Sequence, residues 1–125
     1  YQSPELKMKS SALCAMGRNC DSRWLPILRN ELSSQHSELR YEAANACGEI
    51  GEQEVVPHLI PLLEDQDFQI QLAAISALGA IGGAQARRLL SRCLKDSDER
   101  IQEAAQEAIE GMDAGEDLVG FIPRN

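Results

Sequence analysis

The stretch Leu39-Arg40-Tyr41-Glu42-Ala43-Ala44-Asn45-Ala46-Cys47-Gly48-Glu49-Ile50-Gly51 decides the fold. It returns 31 residues later as Ile70-Gln71-Leu72-Ala73-Ala74-Ile75-Ser76-Ala77-Leu78-Gly79-Ala80-Ile81-Gly82, with no gap between. One period further on stand Ile101, Ala105, Ala108, Ile109 and Met112; one period earlier stand Met8, Ala12, Ala15, Met16 and Gly17. The intervening halves repeat too. Pro26 matches Pro57, Leu28, Leu59 and Leu90 share a column, and so do Leu32, Leu63 and Leu94. A fixed period between about 20 and 50 residues marks a solenoid, whose units bury their apolar faces against their neighbours.

Each unit reads as two helices. Leu39, Ala43, Ala46, Cys47 and Ile50 recur at spacings of three and four and share one helical face. The small residues Ala43, Ala46 and Gly48 permit close approach of neighbouring backbones, and Gly51 or Gly82 then ends the helix. A second helix follows, over about 54–64 and 85–95, burying Val55, Val56, Leu59 and Leu63, or Ala86, Leu89, Leu90 and Leu94. Pro26 and Pro57 fall in first turns, where a missing N–H is tolerated; Pro61 lies deeper and should kink or shift its helix. Asp65-Gln66-Asp67 and Asp96-Ser97-Asp98 are polar turns whose last Asp can cap the next helix. No run alternates with period two, so no strand is expected.

The predicted architecture is all-α: helix pairs over 5–33, 38–64 and 69–95, then a lone helix over 99–112. The repeats run over about 6–36, 37–67 and 68–98, with a partial unit over 99–125, all in one domain. Phe121 falls in the Leu28 column, while Gly115, Gly120 and Pro123 oppose a full helix. Residues 113–125 are therefore expected to fold over the last helix as a capping tail.

Composition narrows the function. The 125 residues carry 20 Asp+Glu against 12 Lys+Arg, a net charge of -8, which argues against a phosphate-backbone grip on nucleic acid. No apolar run is long enough to span a bilayer. Cys14, Cys20, Cys47 and Cys93 contain no Cys-x-x-Cys pair, and His36 and His58 are the only histidines, so no zinc site is expected. The thiols read as free ones in a reducing cytoplasm. No Gly-x-x-x-x-Gly-Lys-Ser/Thr loop exists, neither histidine sits in a catalytic motif, and no cofactor is called for.

Residues 67–82 resemble a HEAT-like repeat of the short kind also found in phycobilisome lyases, whose pattern is close to D-x-D-x-x-V-R-x-x-A-A-x-A-L-G-x-I-G. Residues 38–51 and 96–109 follow it more loosely, and the resemblance covers nearly the whole chain. It implies a right-handed α-α superhelix of about seven helices acting as a protein-binding scaffold. Two further readings stay open: a phycobilin lyase-like or other HEAT-repeat enzyme subunit, and a structural spacer from a longer array. The repeated His-Glu dipeptides of HEAT-type di-iron hydroxylases are absent. The pattern's Arg column here holds Lys9, Arg40, Gln71 and Gln102. It points about 20° from the Cys47 column, so it faces inward and needs polar partners, Asp65, Asp96 or backbone carbonyls.

The resemblance further implies that second helices line the concave, binding face. On them lie Arg23, Pro26, Asn30 and Ser33, then Glu54, Pro57, Pro61 and Glu64, then Gln85, Arg88, Arg92 and Lys95. An acidic row beside a basic one reads either as inter-repeat pairing, such as Glu64 with Lys95, or as a charged groove for a polypeptide. The contacts expected for a protein or peptide partner are Arg23, Trp24, Glu54, His58, Arg88 and Arg92. The chain is expected to be a monomer or to self-associate weakly through repeat edges. The N-terminal edge (Leu6, Met8, Leu13) is the one expected to accept a neighbour.

Overall fold

Ser3 accepts a hydrogen bond from the Leu6 N–H at 3.1 Å, and Pro4 takes the first helical position, so a helix begins where the apolar periodicity does. A computed structural model describes the backbone of residues 3–120 and the side chains of residues 3–114. The first helices of successive units are α1 (Pro4–Asn19), α3 (Ser37–Ile50), α5 (Phe68–Ile81) and α7 (Glu99–Gly120). The second helices are α2 (Leu25–Glu31), α4 (Val56–Leu59) and α6 (Gly83–Cys93). Among the described residues there is no strand.

The first helices stack in a row, α1 on α3, α3 on α5 and α5 on α7. Each contact is centred on a missing side chain. A Cβ added at Gly17 would lie 2.7 Å from the Ala46 Cα, one at Gly48 2.9 Å from the Ala77 Cα, and one at Gly79 2.9 Å from the Ala108 Cβ. All three distances are shorter than real Cβ atoms tolerate, so glycine against alanine fixes the spacing of the stack. The core between the layers runs the length of the molecule through Leu13, Leu28, Leu39, Cys47, Leu59, Ile70, Leu78 and Leu90, all under 2 % exposed.

The units are delimited by turn chemistry. Gly51 ends α3 at φ 77° and Gly82 ends α5 at φ 73°, ψ -166°, conformations that exclude most side chains. At the period-equivalent place Cys20 adopts φ 53°. Ser34, Asp65 and Asp96 each accept the N–H two residues on, at 3.1, 2.9 and 2.9 Å. Asp67 and Asp98 then cap α5 and α7 through the Gln69 and Arg100 N–H groups, both at 2.9 Å. Pro61 acts as its depth implies: α4 stops at Leu59, and Ile60–Glu64 winds on as a tighter 3-10 turn.

The inward Arg column forms the expected polar ladder. Arg40 donates to Asp65 at 2.9 and 3.3 Å and to the Ser34 carbonyl at 2.8 Å. The Gln71 amide reaches the Asp65 carbonyl at 2.7 Å, and Gln102 reaches the Asp96 carbonyl at 2.5 Å. Lys9 pairs with Glu31 at 2.7 Å, which lets that carboxylate sit 6 % exposed.

The C-terminal expectation needs correction. α7 does not end at residue 112 with a tail folded back over it; it continues to Gly120. A lone helical glycine such as Gly115 costs only about 1 kcal/mol relative to alanine, so it does not stop the helix; Pro123 lies outside the described residues. Phe121 lies outside the described residues. Leu13 is also not an edge residue: it is 1 % exposed and belongs to the core.

Two tests follow from the packing. Gly48→Ala should destabilise by about 1–3 kcal/mol through overpacking, whereas Gly111→Ala, whose Cβ would meet nothing within 4 Å, should stabilise by about 0.5–1 kcal/mol; urea unfolding reads both. The second concerns the ladder. Burial pushes the Asp65 carboxyl up, but the Arg40 and Asp67 hydrogen bonds and the guanidinium charge outweigh it and hold the group below its ordinary 3.8. A depressed carboxyl contributes stability above its unfolded-state value and loses it as pH falls through the folded one. Asp65→Asn should thus cost about 1–3 kcal/mol at neutral pH, with the difference from the parent shrinking below about pH 4.

Candidate protein-binding face

Because each second helix leans on first helices and packs only sparsely on the next second helix, furrows remain between second helices. One furrow, of about 170 Å³, is lined by Ile60, Leu63, Glu64, Leu89, Arg92, Cys93 and Asp96. It has an apolar floor and charged walls. Ile60 is 37 % exposed, and Ile27 on α2 is 43 % exposed, so two of the four large exposed apolar side chains lie on second-helix segments.

Three cations beside this furrow stand apart from the ion pairs of the described residues. Arg88 and Arg92 lie one turn apart on the exposed side of α6, and Lys95 follows in the turn after it. Among the described residues none of the three joins an ion pair, and the pairing expected between Glu64 and Lys95 does not form. The other arginines of the second half are engaged. Arg87 meets Asp113 at 2.6 Å, and Arg100 meets Asp98 at 2.9 Å while its guanidinium lies 3.8 Å from the Phe68 ring centroid.

The six residues singled out from the sequence separate. Arg92 lines the furrow, and Arg88 stands one turn before it, exposed, on the same helix. Glu54 and His58 are exposed on the second-helix segment of the middle unit, outside the furrow lining. Arg23 is held by Asp21 at 2.7 Å, a bond that raises the guanidinium's pKa and lowers that of the carboxyl. Trp24 belongs to another surface: with Ala12, Ala15, Met16 and Asn19 it lines a recess at the N-terminal edge. Leu89 is buried as expected and also lines the furrow, whereas Ile60 carries no role in the sequence reading. The column Arg29, Ile60, Ser91 held a signal for Ile60, since its flanking members are polar and mark a solvent-facing position.

A recess of about 480 Å³ on the first-helix side is lined by Ser10, Ser37, Glu38, Tyr41, Glu42, Asp67, Gln69 and Ile70. There burial, then the charge of Glu49, pushes the Glu42 carboxyl up, with Arg18 opposing. Among the described residues no group of three His, Cys, Asp or Glu side chains is placed to hold a metal ion, and no helix is long and apolar enough to cross a membrane. His36 and His58 are both exposed and lie in different units.

The HEAT-repeat family model matches residues 2–110, which covers most of the chain and agrees with the stacked helix pairs. The chain belongs to the HEAT-repeat family. Comparison with curated proteins gives no match. HEAT repeats are generally protein-interaction scaffolds and typically non-catalytic.

Thiol chemistry offers a direct check on the packing. Burial pushes the Cys47 thiol up to about 12, and burial followed by Asp96 raises that of Cys93, with Arg92 opposing, whereas Cys20 is exposed. Since the thiolate is the reactive form, iodoacetamide at about pH 8 should modify Cys20 in the folded protein and spare Cys47 until urea unfolds it. Mass mapping of the labelled peptides reads the order.

Proposed function

We propose that this chain is a non-catalytic scaffold that binds a protein or peptide segment across its second-helix face, the concave side in HEAT arrays. The observation that carries the reading is that Arg88, Arg92 and Lys95, unpaired among the described residues, stand beside the apolar floor of Ile60, Leu63 and Leu89. Charges held only for solubility need no apolar floor beside them, whereas an interface combines an apolar centre with a charged rim. The helix that carries Arg88 and Arg92 is anchored through the core, so docking costs little conformational ordering. Glu54 and His58 extend the contact surface across the middle unit. Free thiols at all four cysteines accord with a reducing compartment such as the cytoplasm.

The test is a double charge reversal, Arg88→Glu with Arg92→Glu. Both side chains are exposed, so helicity by circular dichroism should match the parent. Retention of proteins captured by the parent chain should fall at least about tenfold, as expected when central charged contacts are reversed. Unchanged retention at matched helicity would place the binding surface elsewhere.

A further inference from the structure

The two ends of the helix stack are chemically different. On α7 the side beyond the last unit carries Glu103, Gln106, Glu107 and Glu110, all exposed. Gln106 stands where Leu13, Ala44 and Ile75 are buried, and Glu110 stands where Gly17, Gly48 and Gly79 receive the next helix. A polar outer face of this kind is how a solenoid end is closed.

The other end is open. Met8 is 73 % exposed, although its column-mates Leu39, Ile70 and Ile101 are 1, 1 and 4 % exposed. Ala12 and Ala15 are exposed where Ala43, Ala74 and Ala105, and Ala46 and Ala77, are buried. These residues continue inward as a recess of about 260 Å³ with Met16, Asn19 and Trp24 on its walls. The Trp24 indole N–H lies buried and without a hydrogen-bond partner. Three internal contacts show what covers these columns in the rest of the molecule: Ala46, Ala77 and Ala108 each receive a glycine from the preceding first helix.

We infer that the N-terminal edge is a docking surface for a further helix pair of the same repeat type, whose first helix sets a glycine against Ala15. This surface is separate from the second-helix face. Another copy of the chain does not supply the occupant. Its α7 offers Glu110 in the glycine column, and any Cβ there would fall within about 3 Å of Ala15 at the native spacing. α7 also has no described second helix following it, unlike the preceding helices of the internal contacts.

The experiment extends the chain by a copy of its own residues 37–67 joined in phase to Leu6, so that the copied Gly48 meets Ala15. Met8 oxidation by hydrogen peroxide should slow at least about tenfold relative to the unextended chain, because a covered thioether is shielded from the oxidant. Thermal stability should rise alongside. The same extension with its copied Gly48→Glu should leave Met8 as reactive as before. Met8 unprotected in the glycine form, or equally protected in the glutamate form, would overturn the proposal. So would a dimer or polymer of the unextended chain in sedimentation that shields Met8, since a second copy would then be the occupant.

Discussion

The absence of a Cβ at Gly17, Gly48 and Gly79 is the constraint on which the rest of the structure depends. With alanine opposite, each glycine brings two first helices to a spacing that larger residues forbid. That spacing places Leu39, Ile70 and Ile101 deep in the seams between units. It also makes the repeat length rigid. Every unit must return its glycine to the same height, so a residue gained or lost between Gly17 and Gly79 would break one contact. Because a unit touches only its neighbours, such damage would spread through the stack one interface at a time.

Close first helices determine what the second helices can do. Their leucines, Leu28, Leu59 and Leu90, are spent entirely on the core, while their opposite sides have little to pack against. The middle unit goes furthest. Pro57 and Pro61 shorten its α-helix to four residues and continue it as a 3-10 turn, which presents Ile60 outward beside Leu89. The furrow is thus a by-product of proline placement, and Arg92, which joins no ion pair among the described residues, borders it.

Much of this was legible because period-31 columns convert a linear pattern into neighbours in space. The stacked first helices, the glycine contacts, the Asp caps and the inward ladder of Arg40, Gln71 and Gln102 all follow from comparing one unit with the next. What was misread lay where a column is interrupted or ends. The exposure of Ile60 depends on a local change of helix type that periodicity does not encode. The length of α7 was underestimated because Gly115 was treated as a terminator, although a glycine ends a helix only where the chain adopts the left-handed turn that Gly51 adopts. Leu13 was assigned to the edge although its column-mates Ala44 and Ile75 are core residues. Nothing in the linear pattern says which second-helix charges find partners, since Arg87 reaches Asp113 across the fold while its neighbour Arg88 joins no ion pair among the described residues.

Charge and stacking together also explain why the molecule can keep its surfaces distinct. The acids are concentrated away from α6: seven lie between Tyr41 and Ala86 with no Lys or Arg among them, and nine lie between Asp96 and Asp117 with one Arg. On a molecule of net charge -8 the cations Arg88, Arg92 and Lys95 form a local basic patch between two acidic blocks, and such a patch favours the approach of acidic segments. The N-terminal edge attracts by other means. Its Met8, Ala12 and Ala15 offer apolar area and steric fit, interactions that depend weakly on salt, whereas contacts to Arg88, Arg92 and Lys95 weaken as ionic strength rises. Two ligands binding at these places would thus answer differently to the same change of solvent, even though one row of glycine–alanine contacts supports both.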